Sequence, residues 1–239
     1  MPGMAAADRF ISCWLFNENG GSKVFEPSGR RHTGILQPGT SWTSGKSGSA
    51  IELDGVTGHI EIADHDIFTP VGTPFSIKAL IYMHTAAKFS IASKGSYNID
   101  GEWKFGFLTD KKLMMQRFDE SVPSCYISAR CDTPLAAYEN QWIDATMTSD
   151  GSAVGTGMKI YLNAARIDDT YYCPGAFVEI EKQGHDVWIG RSNDLYANGL
   201  FDHVMFFNWE LLASEVARLY REPFYMFPEP VRPEIIIAA

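Results

Sequence analysis

The sequence predicts an all-β protein: an antiparallel sandwich of two sheets, with one short C-terminal helix and an extended tail. Three observations predict it. Short apolar or alternating runs recur every ten or so residues, with turn residues between them. Aromatic residues make up 13% of the 239-residue chain, which also has 21 glycines, a balance that favours strands and turns. Only one stretch, 211–220, has a helical period.

The elements follow in order. RFISCWLF (9–16) opens the chain as a strand and leads into a loop over 17–34. SAIELDG (49–55) and HIEIAD (59–64) come next. In FSIKALIYM (75–83), Phe75, Ile77, Ala79 and Ile81 share one face and Ser76 and Lys78 the other, the pattern of a half-buried strand. Further strands are expected over 88–95, 103–110, 113–119, 125–130, 142–151, 158–164, 176–180, 186–190 and 199–208. Trp103 alternates with Phe105 and Phe107 and is assigned to the core. In FDHVMFF, Phe201, His203, Met205 and Phe207 alternate with Asp202, Val204 and Phe206, so this strand is read as an inner one with both faces covered. In LLASEVARLY, Leu212, Val216 and Leu219 recur at i, i+4, i+7, and Pro223 ends the helix. No linker divides the chain and no repeat of 20 to 50 residues is visible. One domain is expected over 8–221, followed by an arm, 222–239.

Composition removes several functions. The formal net charge is −9, from 20 Lys and Arg against 29 Asp and Glu, with no dense basic run. A nucleic-acid binder would carry a basic stripe. No uncharged apolar window of about 18 residues exists, so no membrane span is expected. The N-terminus lacks a basic region followed by a long apolar run and does not read as a secretory signal. The cysteines, Cys13, Cys125, Cys131 and Cys173, form no CxxC pair, and either all are free or one pair is oxidised. GTSWTSGKS (39–47) is not a phosphate-binding loop: its glycines are one residue too far apart and a strand follows, not a helix.

Several segments together resemble laminin-G-like domains of the concanavalin A-like lectin and glucanase superfamily. The first is WLFNENGGSKVFEPSGRRHTGIL, with its Gly-rich turn and x-Ser-Gly; the second is GKSGSAIELDGVTGHIEI. SIASKG, QWIDATMTSDG, MKIYLNA and VWIGR are similar to the successive strands of that family, and GLFDHVMFFNWELLASEVARLY to its closing strand and helix. The resemblance runs from about 10 to 220 in the family's order and implies a jelly roll. Asn17 stands where an Asp is usual, and Glu26 where an Asp precedes x-Ser-Gly. Leu212 stands where a capping Ser would precede Glu215, leaving Asn208 as the alternative cap.

The family's functions set the candidates. Its glucanases carry Glu-x-Asp-x-Glu along one strand so that two carboxylates flank a sugar bond. Here IELDGVTG (Glu52, Asp54) and VEIEKQG (Glu179, Glu181) are both incomplete, so no catalytic residues are assigned. The resemblance also implies calcium near the first loop and closing strand. Glu18, Asp54 and Asp202 match that acidic pattern, against a structural reading as turn and strand-end acceptors. For glycan binding, flat aromatics in polar loops are the candidates: Tyr97, Tyr171, Tyr172 and Tyr196.

The arm completes the expectation. Pro223, Pro228, Pro230 and Pro233 favour an extended path, and the large apolar side chains between and after them are foreign to a disordered linker. Phe224, Tyr225, Met226, Phe227, Ile235, Ile236 and Ile237 are therefore assigned to a protein partner, with packing on the chain's own body as the alternative. The function expected is a non-catalytic module docked on a larger, multimeric assembly, with a phage virion surface as the setting. The alternative is a bacterial carbohydrate-binding or polysaccharide-processing protein.

Overall fold

The computed structural model describes residues 12–27, 29–96 and 99–227. Two antiparallel sheets face each other across one large apolar core. The first sheet runs, in spatial order, β14 (Ala165–Arg166), β13 (Met158–Leu162), β12 (Trp142–Ser149), β7 (Phe75–Met83), β19 (Asn198–Phe207), β5 (Ser49–Asp54) and β4 (Thr40–Ser44), and β1 (Ser12–Trp14) also pairs with β19. The second runs β15 (Thr170–Tyr172), β11 (Cys125–Arg130), β10 (Leu113–Asp119), β9 (Trp103–Phe107), β8 (Ser90–Lys94), β16 (Val187–Ile189), β6 (Ile60–Ile62), β3 (Gly34–Leu36) and β2 (Lys23–Val24). A small hairpin, β17 (Arg191–Ser192) with β18 (Leu195–Tyr196), stands beside them. Trp14, Trp103, Phe75, Phe105 and Phe206 meet in the core between the sheets. The indole N–H of Trp103 donates to the carbonyl of Phe68 at 2.8 Å. All four cysteines are free, and only Cys173 is exposed.

The first sheet is buried on both faces. Inward from β7 point Phe75, Ile77, Ala79, Ile81 and Met83. Its other face is buried as well: Ser76 and Lys78 are both at 0% exposure. The half-buried pattern read from the sequence is thus corrected, because the chain after β19 lies over that face. Helix α1 (Ala213–Arg221) seats Val216 and Leu219 there with Cys13, Tyr161, Met205, Phe207 and Leu211. The Ser76 hydroxyl donates to the Trp209 carbonyl at 2.9 Å and accepts from the Leu211 N–H at 3.0 Å, which stitches the cover to the sheet. Leu212 is the N-cap, in place of the expected Asn208, and its N–H donates to the Glu215 carboxylate at 2.9 Å. The box therefore keeps its acidic half and lacks its hydroxyl half.

The inner strand β19 behaves as expected with one change. Its register shifts between Phe201 and His203. The extra residue brings Phe201 onto the same face as Val204 and Phe206, in the main core, while Met205 and Phe207 face the helix. The segment 176–180, expected as a strand, joins no sheet. Its burial does not alternate, with Phe177 and Ile180 buried and Val178 and Glu179 exposed between them, and its Val178 N–H is held by the Asp119 carboxylate at 2.9 Å instead of by a neighbouring strand.

The arm's first residues turn back onto this body. Residues 222–227 form turns, with the Tyr225 N–H donating to the Glu222 carbonyl and the Phe227 N–H to the Phe224 carbonyl. This corrects the extended path for that part. Phe227 is buried in the helix-side cluster, and Phe224, Tyr225 and Met226 pack against it. The Arg218 guanidinium lies 3.9 Å from the Tyr225 ring centre. Ile235, Ile236 and Ile237 lie outside the described residues.

Two charge arrangements serve the fold. Lys78 of β7 and Asp144 of β12 form an ion pair under the cover, both almost fully buried. Burial pulls the Lys78 ammonium down to about 7, even with the Asp144 carboxylate beside it. Replacing Lys78→Met should strand the Asp144 charge and destabilise the protein by about 3–5 kcal/mol in urea unfolding, whereas Lys78→Met with Asp144→Leu should recover most of the loss. Asp54, by contrast, closes its own turn. Partial burial raises its pKa, but the N–H groups of Val56, Thr57 and Gly58 and the Thr57 hydroxyl outweigh that and hold it at about 2, against an ordinary 3.8. A depressed carboxylate adds stability above the unfolded value and loses it as pH falls through the folded one. The melting temperature of the wild type should therefore fall more steeply between pH 4 and pH 2 than that of Asp54→Asn, and equal slopes would refute this account.

Candidate functional site

With one face of the first sheet against the core and the other under the helix and arm, the open broad surface is the outward face of the second sheet. Strand alternation decides what it displays. In β9, Trp103, Phe105 and Phe107 point inward, which leaves Lys104 and Gly106 outward. In β11, Ile127 and Ala129 point inward, which leaves Tyr126, Ser128 and Arg130. Register then aligns these side chains across strands. Lys104 stands opposite Gln116, Gln116 opposite Ser128, and Ser128 opposite Tyr172, one row over β9, β10, β11 and β15. A second row runs Gly106, Met114, Arg130, Thr170. At adjacent strand spacing of about 4.8 Å, four strands give each row a length of about 14 Å.

Together the rows line a groove of about 450 Å³. Gly106 is the one member of the two rows outside the groove lining, and a Cβ there would lie 2.8 Å from the Phe89 carbonyl oxygen, so its position excludes a side chain. Tyr126 and Tyr172 form an aromatic pair at one side, with ring centres 4.8 Å apart and planes 35° apart. Tyr172 is 45% exposed. The Gln116 side chain is only 5% exposed, and its Oε1 has no hydrogen-bond partner among the described residues. Burial pushes the Lys104 ammonium below its ordinary pKa. Arg130 is loosely balanced at the rim by Asp110 at 3.7 Å and Asp132 at 3.9 Å. The groove thus offers what a polyhydroxylated ligand uses: aromatic faces for its C–H surface, and an amide, hydroxyls and cations for its oxygens.

Of the sequence candidates, Tyr172 is central here. Tyr171 reaches the edge of the groove but sits opposite Ala129, so its ring turns towards the core and its hydroxyl donates to Asp168. Tyr196 belongs to the β17–β18 hairpin, where the Arg191 guanidinium lies 5.4 Å from its ring centre and the His59 ring 5.8 Å away. Tyr97 lies outside the described residues. Lys104, Gln116, Tyr126 and Ser128 were missed. The alternation in 125–130 and 103–107 was the available signal for three of them, but nothing local places Gln116 beside them.

Glu18, Asp54 and Asp202 are not brought together in one cluster. Among the described residues no three of His, Cys, Asp and Glu converge as metal ligands. Asp54 is occupied by its own turn. Glu18 accepts from the Phe25 N–H at 2.6 Å, and Asp202 accepts from the Ser47 N–H at 2.9 Å and contacts His203 Nδ1 at 3.0 Å. The incomplete acid pairs are equally dispersed: Glu52 faces His84 at 3.4 Å on the first sheet, and the Glu179 segment is the irregular stretch described above.

Comparison with solved structures places this architecture. The binding domain of Paraclostridial Mosquitocidal Protein 1 superposes with a TM-score of 0.71 at 14% identity, covering 92% of this chain and 54% of that one. The binding domain of botulinum neurotoxin DC, solved in complex with rat synaptotagmin II, gives 0.69 at 14% identity, covering 92% and 53%. The chain thus spans about half the length of these toxin binding domains. Domain 4 of AbnA, a GH43 extracellular arabinanase from Geobacillus stearothermophilus, solved with arabinotriose, gives 0.66 at 16% identity, covering 89% of this chain and 98% of that domain. A search of curated protein sequences found no match. The family model of the concanavalin A-like lectin/glucanases superfamily matches residues 54–217. That match takes in more than half of the chain, including every strand that lines the groove, and with the sandwich topology it means that the chain belongs to the concanavalin A-like lectin/glucanases superfamily.

Proposed function

We propose that the protein is a non-catalytic binding module that holds a glycan on the outward face of its nine-stranded sheet. The observation that carries this is the row Lys104, Gln116, Ser128, Tyr172, in which a buried amide oxygen with no hydrogen-bond partner among the described residues lies near a tyrosine pair whose Tyr172 is exposed. A sugar hydroxyl is a suitable donor for that oxygen, and a sugar ring's C–H face suits the tyrosines. The arabinotriose-bound arabinanase domain, of similar fold, supports the reading. So does the lining itself, which contains no Asp or Glu and so no acid–base pair for glycoside hydrolysis.

Docking onto a larger assembly, with a phage virion surface as the setting, is the second reading. It draws on the apolar, Pro-spaced sequence beyond residue 227, with Val231 and Ile235 to Ile237. Phe224, Tyr225, Met226 and Phe227 support it less, because they cover the protein's own helix-side cluster.

Affinity electrophoresis against plant and bacterial polysaccharides, including arabinan, followed by calorimetry on oligosaccharides of any retarding polymer, tests the first reading. Tyr172→Ala should weaken binding about tenfold and Gln116→Ala several-fold, the scale of one aromatic contact and one hydrogen bond. Val178→Ala, on the exposed irregular segment, should change nothing. Retardation by no polymer, or binding indifferent to Tyr172 and Gln116, would refute it.

A further inference from the structure

On the opposite side of the sandwich, beneath the arm, is a cavity of about 330 Å³. Its lining includes Lys46, Ser47, Asp202, His203, Arg221 and Phe224. Two polar atoms in that lining, Ser47 Oγ and His203 Nε2, are buried with no hydrogen-bond partner among the described residues. His203 as a whole is 1% exposed. Folded proteins rarely leave such groups unanswered, and two in one cavity point to a missing occupant.

Asp202 defines what the two atoms can do. One of its oxygens is 3.0 Å from His203 Nδ1, and the other accepts from the Ser47 N–H at 2.9 Å. A carboxylate only accepts, so Nδ1 carries the hydrogen and a neutral imidazole presents Nε2 as an acceptor. The Ser47 hydroxyl remains free to donate. The charges in the lining do not balance. Asp144 pairs with Lys78, and Asp202, which hydrogen-bonds a neutral His203, keeps its own negative charge, whereas Lys46 and Arg221 have no carboxylate within ion-pair distance among the described residues, so positive charge is in excess. Phe224 roofs the space, its ring centre 5.3 Å from that of His203.

We propose that this cavity is a second binding site, for a small hydroxylated organic anion of monosaccharide size. Its carboxylate or phosphate lies between Lys46 and Arg221. One hydroxyl donates to His203 Nε2, and another oxygen accepts from Ser47 Oγ. The volume falls at the small end of the range for small-molecule sites. The site is separate from the glycan groove, and its existence does not depend on that reading.

The test uses the full chain, labelled with 15N at histidine, titrated with glucuronate, glucose 6-phosphate and neutral glucose. At least one of the two acids should move the His203 ring resonances and release heat in calorimetry, and glucose should do neither. The tighter of the two identifies the anionic group. Lys46→Ala with Arg221→Ala, both at exposed positions, should weaken binding at least tenfold, and Ser47→Ala several-fold. Tyr172→Ala should leave it unchanged, which separates this site from the groove. Failure of both acids to move His203, or an undiminished response in the Lys46→Ala, Arg221→Ala protein, would overturn the proposal.

Discussion

The structure depends on one constraint: its first sheet carries large apolar side chains on both faces and must be covered twice. One cover is the second sheet. The other is the chain that follows β19, which crosses back as helix α1 and the start of the arm to bury Met205, Phe207 and Tyr161. This second cover explains why a short helix of modest helix-forming sequence is stable at all, since most of its stability comes from packing Val216 and Leu219. It also explains the buried polar groups on that side. Ser76 ties the cover down, and Lys78 with Asp144 crosses from β7 to β12 beneath it.

Covering one side leaves the two broad surfaces of the sandwich with different chemistry. The helix side is closed and keeps a polar cavity under its lid. The far side, among the described residues, has no helix over it, and away from the β17–β18 hairpin its outward residues are free to be polar and aromatic, because the inward residues already supply the core. Period-two alternation thus separates the core from the displayed surface along the same strands: Trp103, Phe105, Ile127 and Ala129 hold the fold, while Lys104, Tyr126, Ser128 and Arg130 face outward.

Much of the fold was legible in the sequence, for physical reasons that can be named. Strands 75–83, 113–119 and 125–130 match their apolar runs to the residue because turn chemistry bounds those runs. What escaped was whatever depends on a partner. Segment 176–180 reads as a strand from its apolar residues, but among the described residues no strand is beside it, so its Val178 N–H takes a side-chain acceptor. Lys78 reads as a solvent-facing residue until the helix arrives above it. The shift at Asp202, which moves Phe201 to the other face, leaves no mark in the pattern of residue types. The candidate site was partly legible: Tyr172 stood out as a loop aromatic, but its neighbours come from strands separated by some 12 to 44 residues, and only the pairing register brings Lys104, Gln116, Ser128 and Tyr172 into line.

That row runs across the strands, not along them, and this has a geometric result for anything laid upon it. Successive strands in a sheet are rotated by about 20–25°, so the direction of the platform turns by about 60–75° between β9 and β15. A stiff, ribbon-like polymer would lift off after one or two strands. A chain with its own helical pitch of matching hand could stay in register over the whole path, so backbone curvature would discriminate between ligands before any single contact does.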